Sequence, residues 1–174
     1  MNDALRTAPN LDETDLAILE RVEDNFDVSL EVLANELNLS KSAVHYRLKK
    51  LKENGVIQGI TADVDPLMFG LEMVAITEVT VAHESGYSKE IGEELMNLKG
   101  VEQVFYTMGD VDFITISRVQ SRDQLNDLID RIVAIEGVNE TSSRFVMQEF
   151  ETNCTITDNL TEEARDVVVN SSDN

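Results

Sequence analysis

Residues 38–55 read NLSKSAVHYRLKKLKENG, and they govern how the rest of the chain is read. Four of the six lysines, Lys41, Lys49, Lys50 and Lys52, lie here beside Arg47. Glu53 is the only acid between Asn38 and Ile60, so the local balance is +4 in a chain of formal net charge −20. Cations gathered on one helix of an anionic protein mark a surface that meets a polyanion. Asn38 tolerates positive φ and Ser40 is a good N-cap, so Asn38-Leu39-Ser40 reads as a tight turn. The helix that follows is predicted from Lys41 to Asn54, stopping before Gly55, a favourable C′ residue.

Projected at about 100° per residue, Val44, Leu48 and Leu51 fall on one side and face other helices. Ser42, His45, Tyr46, Lys49 and Lys52 fall outward, with Ser40 and Lys41 at the start and Arg47 and Lys50 adding charge. A helix in a major groove needs these types: short polar groups near its N-terminus for base edges, cations further along for phosphates. These nine residues are the candidate DNA contacts. The same face on an ordinary helix would simply be solvated, and His45 reads either as a contact or as an exposed side chain.

The upstream pattern favours the DNA reading. Asp12 can cap a helix carrying Leu16, Leu19 and Val22 on one face, and Ser29 can cap a short one with Leu30, Leu33, Ala34 and Leu37. Ala34 sits where two helices must approach closely. Three helices, the last two joined by a three-residue turn, make a helix-turn-helix unit. Val56 to Ala62 reads as a short β hinge leading out.

Past Asp65-Pro66 the pattern changes from helical spacing to extended segments alternating with helices. A strand at 71–82, a helix at 88–98 and a strand at 101–108 come first. A turn at Gly109-Asp110, a strand at 111–119, a helix at 121–135 and a strand at 141–151 follow. Ser121-x-x-Gln124 opens the second helix as a capping box. The order βαββαβ is the ferredoxin-like arrangement, so the fold class is α+β. The expected organisation is a helix-turn-helix domain at 1–65, a ferredoxin-like domain at 66–152 and an acidic, partly disordered tail at 153–174.

Composition narrows the function classes. With 174 residues, 42% of them apolar, the chain can bury a core in each of two small domains. No apolar run approaches the ~20 residues of a membrane span, and the polar N-terminus shows no signal pattern, so a cytoplasmic protein is expected. Cys154 is the only cysteine, which excludes an internal disulfide framework and a cysteine metal cage; alone, it reads more readily as packing than as a redox centre. Residues 1–65 hold thirteen acids and seven bases, residues 66–174 twenty-one and seven. An excess spread over the whole chain suits either solubility or adaptation to molar salt, and the wide spread points to the second, with a halophilic archaeal source. No nucleophile–base pair, Gly-rich phosphate loop or metal-ligand spacing stands out, so neither an enzyme nor a resident cofactor is expected. His83, beside Glu84, reads as structural or exposed. Asp110 and Asp112, two apart, would share a strand face if the strand began at the turn. They suit a turn, a ligand contact, an acid/base pair or a hard-metal site, though no third metal ligand is evident.

With both halves read, the chain resembles the Lrp/AsnC (feast/famine) family of transcription regulators over about residues 11–151. Three stretches carry the resemblance: LDETDLAIL at 11–19, LSKSAVHYRLKKLKENGVIQGITADVDP at 39–66 and FYTMGDVDFITI at 105–116. It implies a homodimer formed through the sheets, higher assembly such as an octamer, and an amino-acid effector bound between dimers that alters DNA binding. Position by position, Gly109, Asp110 and Asp112 match the effector turn, Asp112 as the holder of an α-ammonium group. Thr141, Ser142 and Ser143, with Asn139 and Glu140 before them, lie where a neighbouring subunit supplies contacts. Met108 departs from the small polar residues frequent before that glycine. The implied partners are promoter DNA, an amino-acid-like effector and further copies of the chain. Two other classes stay open: a metabolite-binding module, and a corepressor-like assembly protein that does not itself read DNA.

Overall fold

A computed structural model describes residues 11–82, 87–150 and 155–170. They form two compact units, one holding the residues up to Ala62 and those from Thr155 onward, the other running from Asp63 to Phe150.

The first unit opens with α1 (Glu13–Asp24), α2 (Leu30–Glu36) and α3 (Lys41–Glu53). Each begins on the cap expected of it. The Asp12 carboxylate accepts the Asp15 N–H at 2.8 Å, and Asp15 returns the contact from the Asp12 N–H, a reciprocal capping box. The Ser29 and Ser40 hydroxyls accept from the N–H groups of Val32 and Ala43. The α2–α3 turn is a Schellman end followed at once by an N-cap. Asn38 takes φ 55°, and the Leu39 N–H donates to the Ala34 carbonyl at 2.8 Å. Leu16, Ile18, Leu33, Val44 and Leu51 form the core of this unit.

Residues 56–62, expected as a β hinge, form no strand. Gly55, at φ 71°, ends α3 in a second Schellman motif. The N–H groups of Val56 and Ile57 both turn back to the Leu51 carbonyl, at 2.9 and 3.2 Å. Their side chains then pack on the helical core, so the apolar pair closes the end of a helix instead of entering a sheet.

In the second unit, β1 (Met73–Val81), α4 (Tyr87–Asn97), β2 (Val101–Tyr106), β3 (Phe113–Val119), α5 (Arg122–Val133) and β4 (Val138–Phe145) follow in order. The sheet runs β2-β3-β1-β4 with every neighbouring pair antiparallel, which is the ferredoxin-like topology. Ala75, Val79, Val81, Phe113 and Val119 face the helices, where Ile91, Leu95, Leu125, Leu128 and Ile132 meet them. The alternate residues Ile76, Ile114 and Ile116 lie half-buried on the helix-free face, with Phe105 49% exposed beside them. On the helix side, Thr77 and Ser143 pair their hydroxyls at 2.8 Å. The buried hydroxyls of Thr115 and Ser117 have no hydrogen-bond partner among the described residues.

Several strand limits differ from expectation, β4 ending at Phe145 and not at 151, and two of the shifted starts have a visible cause. β3 starts at Phe113 because the Thr107 N–H donates to the Asp112 carbonyl at 2.8 Å, closing the turn later than its glycine suggests. β4 occupies 138–145, three residues early at its start. The Ala82 N–H already binds the Gly137 carbonyl, so pairing begins as soon as Gly137 (φ 89°) ends the α5 connection.

The stretch read as a loose acidic tail is ordered over its described part. It forms a 3₁₀ turn at Thr157–Asn159 and α6 (Glu162–Asn170), both within the first unit. Its apolar residues Leu160, Val168 and Val169 pack against the helical core, an attraction that charge count alone hides. His83, Glu84 and Cys154 lie outside the described residues.

Candidate DNA-reading helix and effector turn

Most of the expected α3 side chains stand in solvent. Ser40, Lys41, Ser42, His45, Tyr46, Lys49, Lys50 and Lys52 are exposed, while Val44 and Leu51 are buried beneath them. Ser40 acts first as the cap, and its Oγ lies 3.0 Å from that of Ser42, so the two hydroxyls open the helix together. Lys41 pairs with Glu31 at 3.0 Å and Lys49 with Glu53 at 3.6 Å, all four side chains well exposed. Such surface pairs are worth about 0–1 kcal/mol, so phosphates can replace those carboxylates at little cost.

Arg47 departs from the set. Its Nη1 donates to Asp12 Oδ2 and to Asp15 Oδ1, each at 2.7 Å, and its side chain is only 28% exposed. The hydrogen bonds that it donates to Asp15 and Asp12 hold the guanidinium above its ordinary pKa. Burial works to raise the Asp12 carboxyl, but the bonds from Arg47 and the Asp15 N–H outweigh it and leave the group below its usual value. Arg47 therefore ties α3 to the capping box of α1, while the other eight side chains stand outward.

A groove of about 370 Å³ runs beside the helix, with Val22, Phe26, Leu33 and Leu48 in its lining and His45, Lys49 and Lys52 along α3. Lys52 Nζ sits 5.3 Å from the centre of the Phe26 ring, a cation–π contact that no spacing rule foretold.

The turn expected to meet an effector spans Thr107 to Asp112. Gly109 takes φ 145°, a conformation that side-chain-bearing residues rarely adopt, and open space surrounds the position of a Cβ. Asp110 is exposed. Asp112 is 7% exposed and points inward: its Oδ2 accepts the Val81 N–H at 2.8 Å, while its own N–H donates to the Val79 carbonyl. The two aspartates thus share no strand face, because the strand begins only after them. Among the described residues, no cluster of three histidine, cysteine or acidic side chains could hold a metal.

On the edge strand β4, Thr141 and Ser143 lie opposite Val79 and Thr77 on the helix side, whereas Ser142 lies opposite Glu78 on the other face. Val79 pairs with Thr141 on one side and Phe113 on the other, so β1 alone separates Asp112 from Thr141. One chain does not bring Thr141, Ser142 and Ser143 together on a single surface.

A three-helix unit with a cationic third helix, followed by a ferredoxin-like unit, defines a two-part DNA-binding regulator. Residues 11–58 match a winged helix-turn-helix DNA-binding family, and residues 74–156 match the Lrp/AsnC ligand-binding domain. The HTH-type transcriptional regulator FL11 of Pyrococcus furiosus is 30% identical over 138 residues, 79% of this chain and 90% of that protein. The regulator LysM of Sulfurisphaera tokodaii is 34% identical over 139 residues, 80% and 96% of the two chains. Among solved structures, AsnC of E. coli superimposes with a TM-score of 0.76 at 26% identity, covering 84% of this chain and 98% of its own. A Neisseria meningitidis regulator in complex with L-Met has the same fold, with a TM-score of 0.76 at 22% identity over 82% and 93% of the two chains. The chain belongs to the Lrp/AsnC family of helix-turn-helix transcription regulators. It is a regulator and not an enzyme.

Proposed function

We propose that α3 enters a major groove, with Ser42, His45 and Tyr46 at base edges and Lys41, Lys49, Lys50 and Lys52 on phosphates. The observation that carries this is the outward stripe itself, which stays exposed while Arg47 is drawn into the scaffold. Two copies associate through the helix-free sheet face around Ile76, Ile114 and Ile116, and so present two such helices to half-sites about 34 Å apart. Further association brings copies to the Thr107–Asp112 turn. There an amino-acid-like effector meets Gly109, Asp110 and Asp112 of one copy and Thr141, Ser142 and Ser143 of another. The L-Met held by the Neisseria regulator supports that ligand class. Effector binding shifts the assembly equilibrium and with it promoter occupancy.

No helix among the described residues is long and apolar enough to cross a membrane. We propose a halophilic archaeal source on the strength of the −20 charge, and a cytoplasmic location because a regulator of this family acts on DNA. That same charge favours one other reading, an assembly protein that does not touch DNA. Binding to a fragment library in molar KCl, with and without each amino acid, decides between them. Selective capture that changes with one amino acid supports the regulator; capture of no fragment under any condition supports the alternative.

A further inference from the structure

The two archaeal relatives align over 79% and 80% of this chain yet over 90% and 96% of their own lengths, so the chain is longer than either. Its last described segment does not trail away: residues 155–170 return to the first unit.

Three kinds of contact hold the segment there. Glu23, near the end of α1, accepts the N–H groups of Ile156 and Thr157 at 3.1 and 3.0 Å and the Thr157 hydroxyl at 2.7 Å. One carboxylate thus nucleates the turn that precedes α6. Arg165 spans Glu20 at 3.0 Å and Glu13 at 3.3 Å, two acids seven residues apart on α1. The bond to Glu20 holds that guanidinium above its ordinary pKa. Leu160, Val168 and Val169 add apolar contact with the helical core. Three acids on one side of α1 would otherwise repel one another in an already anionic chain. The segment brings one cation and three N–H or O–H donors to them.

We infer that the Glu13–Glu20–Glu23 face of α1 is a docking surface for the chain's own C-terminal segment, which serves as a fourth helix of the DNA-binding unit. The unit is then assembled from two separate stretches, 11–62 and 155–170, with residues 63–150 inserted between them. That connectivity has a thermodynamic consequence. The segment's effective concentration at α1 depends on how closely the inserted unit holds its two ends, so folding of the inserted unit strengthens the docking. Stability of the sensing unit is thereby passed to the DNA-reading unit within one chain, without contact between copies. The inference rests on the DNA-binding reading only for its effect on promoter affinity; the docking is tested without DNA.

The experiment is amide hydrogen exchange on the full chain, on the double variant Glu23→Gln/Arg165→Gln, and on a chain ending at Phe150. Loss of charge-assisted bonds worth a factor of about ten in the docking equilibrium should speed exchange across 156–169 by about that factor. Exchange in α1 and α3 should rise with it, while β1 and β3 stay protected. Adding a synthetic peptide of residues 155–170 to the shortened chain should restore part of the α1 protection. Should the shortened chain fail to fold, the double variant still decides. Unchanged exchange in α1 and α3 in the double variant, with 156–169 already unprotected in the parent, would overturn the inference. Faster exchange with unaltered DNA affinity would keep the docking and remove its regulatory consequence.

Discussion

Arg47 Nη1 lies 2.7 Å from Asp15 Oδ1, and through that pair the recognition helix is bolted to the first turn of α1. The Asp15 side chain is only 4% exposed, so its charge depends on this partner for compensation.

Arg47→Ala should therefore destabilise the protein by about 2–3 kcal/mol, since it strands a buried carboxylate while Arg47 itself is partly solvated. Denaturant melts check the magnitude. Sequence preference on DNA, measured at a temperature where the variant is folded, should stay that of the parent.

Lys49→Ala should weaken binding to all duplexes alike and reduce the slope of log affinity against log salt by about 1. Ser42→Ala or His45→Ala should instead shift preference among operator sequences, by about 1–3 kcal/mol at the affected base pair. Competition binding over a set of single-base variants separates the two behaviours. Uniform weakening by all three changes would show that α3 touches only the backbone.

Asp112 serves the turn before it serves any ligand. Asp112→Ala should lower stability by about 1–3 kcal/mol in the absence of effector, because the Val81 N–H loses its acceptor. Asp112→Asn keeps an acceptor oxygen and the side-chain shape but removes the charge. Its melting temperature should stay near the parent's while the effector-induced shift disappears, which a thermal melt with and without ligand reads directly.

Thr115→Val replaces a buried hydroxyl, without a hydrogen-bond partner among the described residues, with a methyl of similar size in the centre of the sheet. The expected outcome is a gain of about 1 kcal/mol, read from the denaturation midpoint.

Acid sensitivity follows from two carboxylates. Asp12 lies below its ordinary 3.8, and the bond from Arg118 holds Glu149 below 4.5. Groups so depressed stabilise the fold when ionised, fully above their unfolded values, and lose that contribution as pH falls through the folded ones. Melting temperature in constant KCl should be insensitive to both groups from neutrality down to about 5 and fall below it. Asp12→Asn should flatten part of that decline.

The legible features were those written in local chemistry. Ser29, Ser40 and Asn38 declare a cap, a cap and a left-handed turn by residue type alone, and each is found in that role. The strand expected at 71–82 is found as β1, with Ala75, Val79 and Val81 buried along it. The pairing of Arg47 was not legible, because a charge count cannot tell a cation offered outward from one held by Asp12 and Asp15, thirty-five and thirty-two residues away. Residues 56–62 were misread because Val56 and Ile57 suit a strand and a helix end equally well, and the Leu51 carbonyl settles the matter.

By itself, then, the sequence determined the helix-turn-helix, the order of the βαββαβ elements and the cationic stripe on α3. Caps, periodicity and charge are properties of neighbours along the chain. Tertiary structure alone decided that Asp112 turns inward to Val81, that Arg47 is held by Asp12 and Asp15, and that residues 155–170 close onto α1. Those outcomes depend on which distant groups arrive within hydrogen-bonding distance once the core has collapsed, and no local pattern encodes that arrival.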